Sequence, residues 1–223
     1  RQIVDHPLVR SPDRLAGALL EDVWAFKGDR EEPWSAYWRP TFVLWVAAGA
    51  GVLGVAHPTP WHLANVVLHT AVCALLWALL RRLGWRRELA WVATLAFAVH
   101  PVHAESVAWI SGVPDLLSAF FALACLLTLL AAAPSASVPA AAAAWALGLA
   151  ALLAKESVIG LPVLAGVALW LAQPPGSAAA ARWRVTWRFG LAPGVALAGL
   201  VLAARVAVLG RLAPEVPWPL TIP

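Results

Sequence analysis

Apolar residues arrive in long unbroken runs along this chain, not in alternation with polar ones. Six of them, Trp61 to Leu80, Glu88 to Val99, Leu116 to Ala133, Pro139 to Ala154, Val158 to Leu171 and Trp187 to Leu209, are punctuated by short stretches of Pro, Gly and Arg. Runs near the ~20 residues needed to cross hydrocarbon predict helices and argue against the alternating pattern of a barrel. A further run, Thr41 to Ala56, is short and rich in Gly. It is predicted to lie shallowly beside the membrane without crossing. Residues 1–39 are mixed and polar. Within them Ser11-Pro12-Asp13 followed by Leu15, Leu19, Leu20 and Trp24 predicts a short amphipathic helix on the membrane surface, capped by serine with proline in its first turn.

Composition turns these runs into a class. With 61% hydrophobic residues, 13% charged and 14 Trp in 223 residues, an ordinary soluble domain is excluded. The expected fold is all-α and polytopic. Cys73 and Cys125 both fall inside apolar runs and read as packing residues, not as a disulfide or metal pair. Charge then orients the helices. Arg81-Arg82-Leu-Gly-Trp-Arg86-Arg87 and Arg182-Trp-Arg184-Val-Thr-Trp-Arg188 are short arginine-rich connections, which stay cytoplasmic. Six alternating spans across residues 61–209 then place residues 1–60, the His100 to Asp115 stretch, the Lys155-Glu156 turn and residues 210–223 on the outer side. The chain starts at Arg1, contains no Met and has no apolar run before residue 40. A first span is therefore expected upstream.

Most of the unusual polar residues converge on that outer side. His100-Pro-Val-His103-Ala-Glu105 and Asp115 pack two imidazoles and two carboxylates into one short stretch between two spans. Ionisable groups are costly in or next to hydrocarbon, so such a cluster faces a bundle interior, a cavity or water. His62, Asn65 and His69, at i, i+3 and i+7, form one stripe down the first span. Lys155-Glu156 ends the fourth span, and Arg205 lies near the outer end of the last. Each group has a bland counterpart. Interfacial histidines anchor headgroups, Lys155-Glu156 can be an internal ion pair, Arg205 can snorkel, and His62, Asn65 and His69 can be interhelical hydrogen-bond partners. His100, His103 and Glu105 are the candidate metal ligands, although their spacing matches no strong signature. Convergence on one side argues for a reaction chamber over a transporter, whose polar groups sit near mid-membrane.

The stretch His100-Pro-Val-His-Ala-Glu-Ser-Val-Ala-Trp-Ile-Ser-Gly-Val-Pro-Asp115-Leu-Leu resembles the H-P-V-H-x-E-x-V, G-R-x-D-L-L segment of the transmembrane O-mannosyltransferases that carry tetratricopeptide repeats, and of their bacterial relatives. Tyr37-Trp-Arg39-Pro40 is similar to that family's Y-R-P, Trp61-His62-Leu-Ala-Asn65-Val-Val-Leu-His69 to its H-x-x-N-x-x-x-H helix, and Ala154-Lys155-Glu156 to its K-E turn. The resemblance implies a GT-C fold and transfer of a sugar, mannose-like, from a polyprenyl-phosphate carrier to a protein or other acceptor hydroxyl. The bilayer, the lipid-linked donor and a protein acceptor are the partners expected, and no nucleic acid. The location implied is a bacterial inner membrane with the active face periplasmic or extracellular, or the luminal side of the endoplasmic reticulum in a eukaryote.

Two departures bear on mechanism. Val113 stands where the family has the arginine of G-R-x-D, and the acidic pair of the family's first outer loop is expected upstream of Arg1. Asp5 lies near that place but is followed by His6-Pro7, and the base role is not given to it; by itself this chain is expected to be inactive in sugar transfer. Within the chain Glu105, Asp115, His103 and His100 are the candidate catalytic residues. Arg39, Lys155, Glu156, Arg205, His62, Asn65 and His69 are the candidate phosphate and substrate ligands, with a divalent metal as the candidate cofactor. A non-catalytic scaffold that keeps the fold is the alternative, and a transporter a further one.

Overall fold

Proline sets where most of the helices begin. The computed structural model describes residues 15–23, 37–174 and 176–210, which hold helices and turns and no strand. The helices are α1 (Leu15–Ala18), α2 (Pro40–Leu53), α3 (Thr59–Arg82), α4 (Arg87–Ala98), α5 (Ala104–Ala108), α6 (Val113–Ala132), α7 (Val138–Ala154), α8 (Leu161–Leu171), α9 (Ala179–Val185) and α10 (Ala192–Leu209). Six of these, α2, α3, α6, α7, α8 and α10, carry proline in the first turn, where the missing N–H would be unbonded anyway. Ser137 adds a side-chain cap to α7, its Oγ accepting from the Ala140 N–H at 3.4 Å.

The centre of the bundle is α6 against α7. Ala141, Ala144, Gly148 and Ala151 line the buried face of α7 at helical spacing, and Cys125, Leu126, Leu129 and Leu130 of α6 fill the space they leave. Small residues on one helix let the two backbones approach, the usual device where lipid removes the hydrophobic drive between helices. Cys125 is fully buried there and Cys73 half-buried on α3, both as free thiols.

Among the described residues, three helical stretches are long and apolar enough to cross a membrane: α3, Ile110–Ser135 around α6, and Ala179–Leu209. The other three expected spans are shorter. α4 has 12 residues, about 18 Å of rise against a hydrocarbon core of ~30 Å. α7 has 17, and α8 with the turn before it is shorter still. The third expected span starts earlier than Leu116, because Pro114 opens α6 at Val113 and so brings Asp115 into its first turn, where a carboxylate meets the positive end of the helix dipole.

The short run after Pro40 forms α2, and both its ends are tied to the same end of the bundle. At its start Thr41 Oγ donates to the Ala150 carbonyl at 2.8 Å. Beyond its end, Trp61 Nε1 donates to the Gly54 carbonyl at 2.7 Å, and Trp61 lies over Gly49 so closely that a Cβ there would come within 2.5 Å of the indole. Of the amphipathic helix expected around residue 15, α1 and the following turn are seen; Ser11, Pro12, Asp13 and Trp24 lie outside the described residues. Leu15 and Leu19 pack against the core formed by Val23, Phe42, Val43 and Val46, so this segment rests on the bundle. Trp38 Nε1 donates to the Leu19 carbonyl at 2.8 Å and holds it there.

The last long stretch is not a regular helix. Thr186–Leu191 winds as a π-helix between α9 and α10. Its loosened Phe189 carbonyl accepts from Trp145 Nε1 of α7 at 2.8 Å in the core, which meets the backbone need that such a bulge creates.

Candidate functional site

Asn65 shapes the loop that carries the candidate chemistry. It is 1% exposed on α3, and its Nδ2 donates to the carbonyls of Val107 at 3.4 Å and Trp109 at 3.2 Å. The chain from His100 to Gly112 is thereby folded back over the start of α3 as a 3₁₀ turn, α5 and a second 3₁₀ turn. His100 caps the first of these, its Nδ1 accepting from the Val102 N–H at 3.2 Å.

Below this loop lies a cavity of about 470 Å³ whose polar lining includes His69, His103, Ser106, Asp115, Ser118 and Ser157. The His103 ring sits 4.2 Å from Phe97 and 5.5 Å from His69, centroid to centroid. His69 Nε2 lies 3.1 Å from the Ala98 carbonyl. A carbonyl can only accept, so this contact assigns the proton to Nε2 and leaves Nδ1 as the bare acceptor. That Nδ1 is buried with no hydrogen-bond partner. Burial, followed by the neighbouring His69 and His100, pushes the His103 imidazole below its ordinary value. It is therefore neutral at pH 7 and able to take a proton.

Two sets of ion pairs flank the cavity. Lys155 donates from Nζ to Asp115, joining the end of α7 to the first turn of α6. Glu156 faces away from its neighbour's partner: its carboxylate is gripped by Arg39, with Nε at 3.2 Å from one oxygen and a terminal nitrogen at 3.0 Å from the other. Arg205 of α10 approaches the same carboxylate at 3.8 Å and is itself buried. Burial alone would raise the Glu156 carboxyl, but the Arg39 hydrogen bonds, with the charges of both arginines, hold it below the usual carboxylate range. Two guanidiniums thus converge on one carboxylate, joining the start of α2, the turn after α7 and α10.

The candidate residues thus separate into groups. His69, His103 and Asp115 meet at the cavity, with Lys155 on Asp115; Arg39, Glu156 and Arg205 form a second ion-pair cluster. Lys155 and Glu156 are not an internal pair, since each bonds to a different element. His62, His100 and Glu105 are exposed and outside the cavity lining, while Asn65 ties down the loop. The set His100, His103 and Glu105 does not fit a metal ion: among the described residues no three His, Cys, Asp or Glu side chains come together to hold one. His103 is turned toward Phe97 and His69, and His100 spends its Nδ1 on a cap. Ser106, Ser118 and Ser157 were not singled out from the sequence. The signal was there in spacing, since Ser106 and Ser118 each follow a candidate, His103 and Asp115, by three residues in helical chain.

Comparison with known proteins bears on this arrangement. The chain is similar to protein O-mannosyl-transferase TMTC1 of Homo sapiens, 37% identical over 131 residues that make up 58% of this chain and 14% of that protein. Against protein O-mannosyl-transferase TMTC4 of Homo sapiens it is 33% identical over 133 residues, 52% of this chain and 18% of that protein. The chain is a distant homologue of the TMTC protein O-mannosyl-transferases. Drosophila melanogaster Tmtc3 belongs to the same set, at 33% identity over 147 residues, 56% of this chain and 16% of that protein. The chain thus spans less than a fifth of the length of the TMTC relatives it matches. No family model and no solved structure matches it.

Proposed function

We propose that this chain acts in a GT-C type membrane glycosyltransferase, moving a mannose-type sugar from a polyprenyl-phosphate carrier to a hydroxyl of a protein or other acceptor on the extracytoplasmic side. The observation that carries this reading is the cavity at which His69, His103 and Asp115 meet, in a homologue of O-mannosyl-transferases. Its volume of about 470 Å³ falls within the ordinary range for a small-molecule site. In the transfer, the acceptor oxygen bonds to the anomeric carbon as the bond from that carbon to the phosphate oxygen breaks. The acceptor's proton passes to a base, and the carrier leaves as polyprenyl phosphate. Asp115 and the neutral His103 are the cavity-lining groups able to take or hold a proton, and His69 Nδ1 can accept a hydrogen bond from a sugar or acceptor hydroxyl. Arg39, Arg205 and Lys155 are the cations that meet the phosphate charge.

One observation favours the scaffold instead: Asp115 and Glu156 both already hold cationic partners, as a purely structural role would have them. Transfer decides between the two. The full-length protein in lipid nanodiscs, given polyprenyl-phosphate mannose and a Ser/Thr peptide, is expected to mannosylate the peptide. Asp115→Asn should lower that rate by about 10²-fold or more if the carboxylate takes the proton. No transfer from any polyprenyl-phosphate sugar, by protein that remains folded, would leave the scaffold reading.

A further inference from the structure

Serines in this chain mostly spend their hydroxyls on the backbone beside them. Ser118, Ser135 and Ser177 donate to the carbonyl three residues back, at 2.9, 3.1 and 2.8 Å, and Ser137 accepts from the N–H three residues on, at 3.4 Å. Ser106, Ser111 and Ser157 make no side-chain hydrogen bond among the described residues. Two of these three, Ser106 and Ser157, line the cavity of about 470 Å³. Neither hydroxyl is enclosed, since Ser106 is half-buried and Ser157 exposed. Each therefore keeps its full capacity to donate and to accept.

The two arrive on different elements. Ser106 sits on α5, in the loop that Asn65 holds, and Ser157 in the 3₁₀ turn Glu156–Gly160 between α7 and α8. The rest of the wall narrows what can occupy the space. Much of it is apolar, from Val72, Val102, Leu116, Leu161 and Leu164, and it includes no lysine or arginine. Ser118 is buried with its hydroxyl bonded, and one oxygen of Asp115 holds Lys155. An anion would find no guanidinium or ammonium in such a lining, and a purely apolar ligand would strip water from the two hydroxyls without replacing it. A neutral group with hydroxyls at its edges and C–H on its faces suits both surfaces, and a few polar groups on an apolar wall are what fix a ligand's orientation. That is the chemistry of a sugar ring.

We propose that the cavity holds the sugar ring of the donor, with the Ser106 and Ser157 hydroxyls bonded to its ring hydroxyls and the phosphate left outside, toward the cations that flank the cavity. The inference rests on the transfer reading for what the ligand is, and its test is binding, which needs no turnover. The full-length protein in detergent is equilibrated with equimolar polyprenyl-phosphate mannose and bare polyprenyl phosphate, and the bound lipids are read by native mass spectrometry. The mannosylated carrier should be retained in preference. Ser106→Ala and Ser157→Ala should each cut that preference about two- to tenfold, as loss of one hydrogen bond gives, with retention of the bare carrier and the melting temperature unchanged. Carriers with singly deoxygenated mannose read the same contacts from the ligand side: one deoxy position should weaken retention by a similar factor in the unmodified protein and by much less in the matching serine variant. Equal retention of the two carriers by the unmodified protein, or a preference untouched in both serine variants, overturns the inference even if the protein transfers mannose. Loss of the preference in the variants upholds it even if transfer is never seen, and then only the catalytic reading fails.

Discussion

Glu156 serves two guanidiniums at once, and a glutamine in its place would leave both facing a neutral amide. With its side chain 35% exposed and that of Arg39 16% exposed, the pair is partly screened. Glu156→Gln is expected to lower stability by about 1–2 kcal/mol at pH 7, read as a fall in melting temperature in detergent. The pH dependence has a definite sign. The folded carboxyl titrates below the ordinary value of 4.5, so the unfolded chain binds its proton first as acid is added. The contribution is complete above that range and is lost as pH falls through it. The gap between the unmodified protein and Glu156→Gln should thus be constant from pH 7 to 5 and close below about 4.5. A gap that widens in acid would refute the pairing. At this scale the sequence displayed which residues are ionisable, because charge in an apolar chain is conspicuous. It did not display who pairs with whom: Arg39 and Glu156 are 117 residues apart, and Lys155 and Glu156, adjacent in sequence, point to different partners.

Elements are held in place here by single side chains reaching a neighbour's backbone. Asn65 is one, and Asn65→Ala should remove its two hydrogen bonds and release the loop above the cavity. Amide hydrogen exchange at Trp109 and Gly112, whose N–H groups bond within that loop, is expected to quicken by about 10-fold or more, as a loss of about 1–3 kcal/mol would give. Exchange there that stays as slow as in the unmodified protein would mean that the loop holds its own shape. Trp145 is another. A Cβ at Gly194 would come within 2.4 Å of its ring, so Gly194→Ala should push the indole off the Phe189 carbonyl and destabilise by about 1–3 kcal/mol. Combined with Trp145→Phe the two losses should sum to less than their separate values, because both act on one contact. Strict additivity in melting experiments would argue that they act apart. The apolar run from Trp187 to Leu209 predicted a plain helix, and the π-turn within it was hidden: hydrophobicity averages over a turn, whereas the extra residue answers to a tryptophan forty-odd positions away.

Across the molecule, the arginine loops and the His100 to Gly112 loop stand at opposite ends of α3, a helix of 24 residues and about 36 Å of rise. Single cysteines placed in a background lacking Cys73 and Cys125 should therefore label from opposite faces of the membrane, those near Val102 from outside and those near Trp85 from within. Labelling near Trp85 from outside would overturn the orientation argued from charge. The helical class was legible because composition alone demands it. The number of crossings was less so, since an apolar run shows that a helix is buried somewhere and leaves open whether lipid or protein covers it; α7 is such a case, its apolar face taken up by α6.

The contact between Arg39 and Glu156 also fixes an order of events while the protein is being made. Separated by 117 residues, the two meet only after the ribosome has added everything between them, which at about 5–20 residues per second takes roughly 6–23 s. For that interval the guanidinium of Arg39 lacks its Glu156 partner, while the helices from α2 to α7 are already leaving the ribosome. The Arg39–Glu156 pair thus closes only after the helices from α2 to α7 have been made, and a ribosome that stalls before Glu156 leaves a chain with the cavity walls from α3 to α6 made and that pair missing.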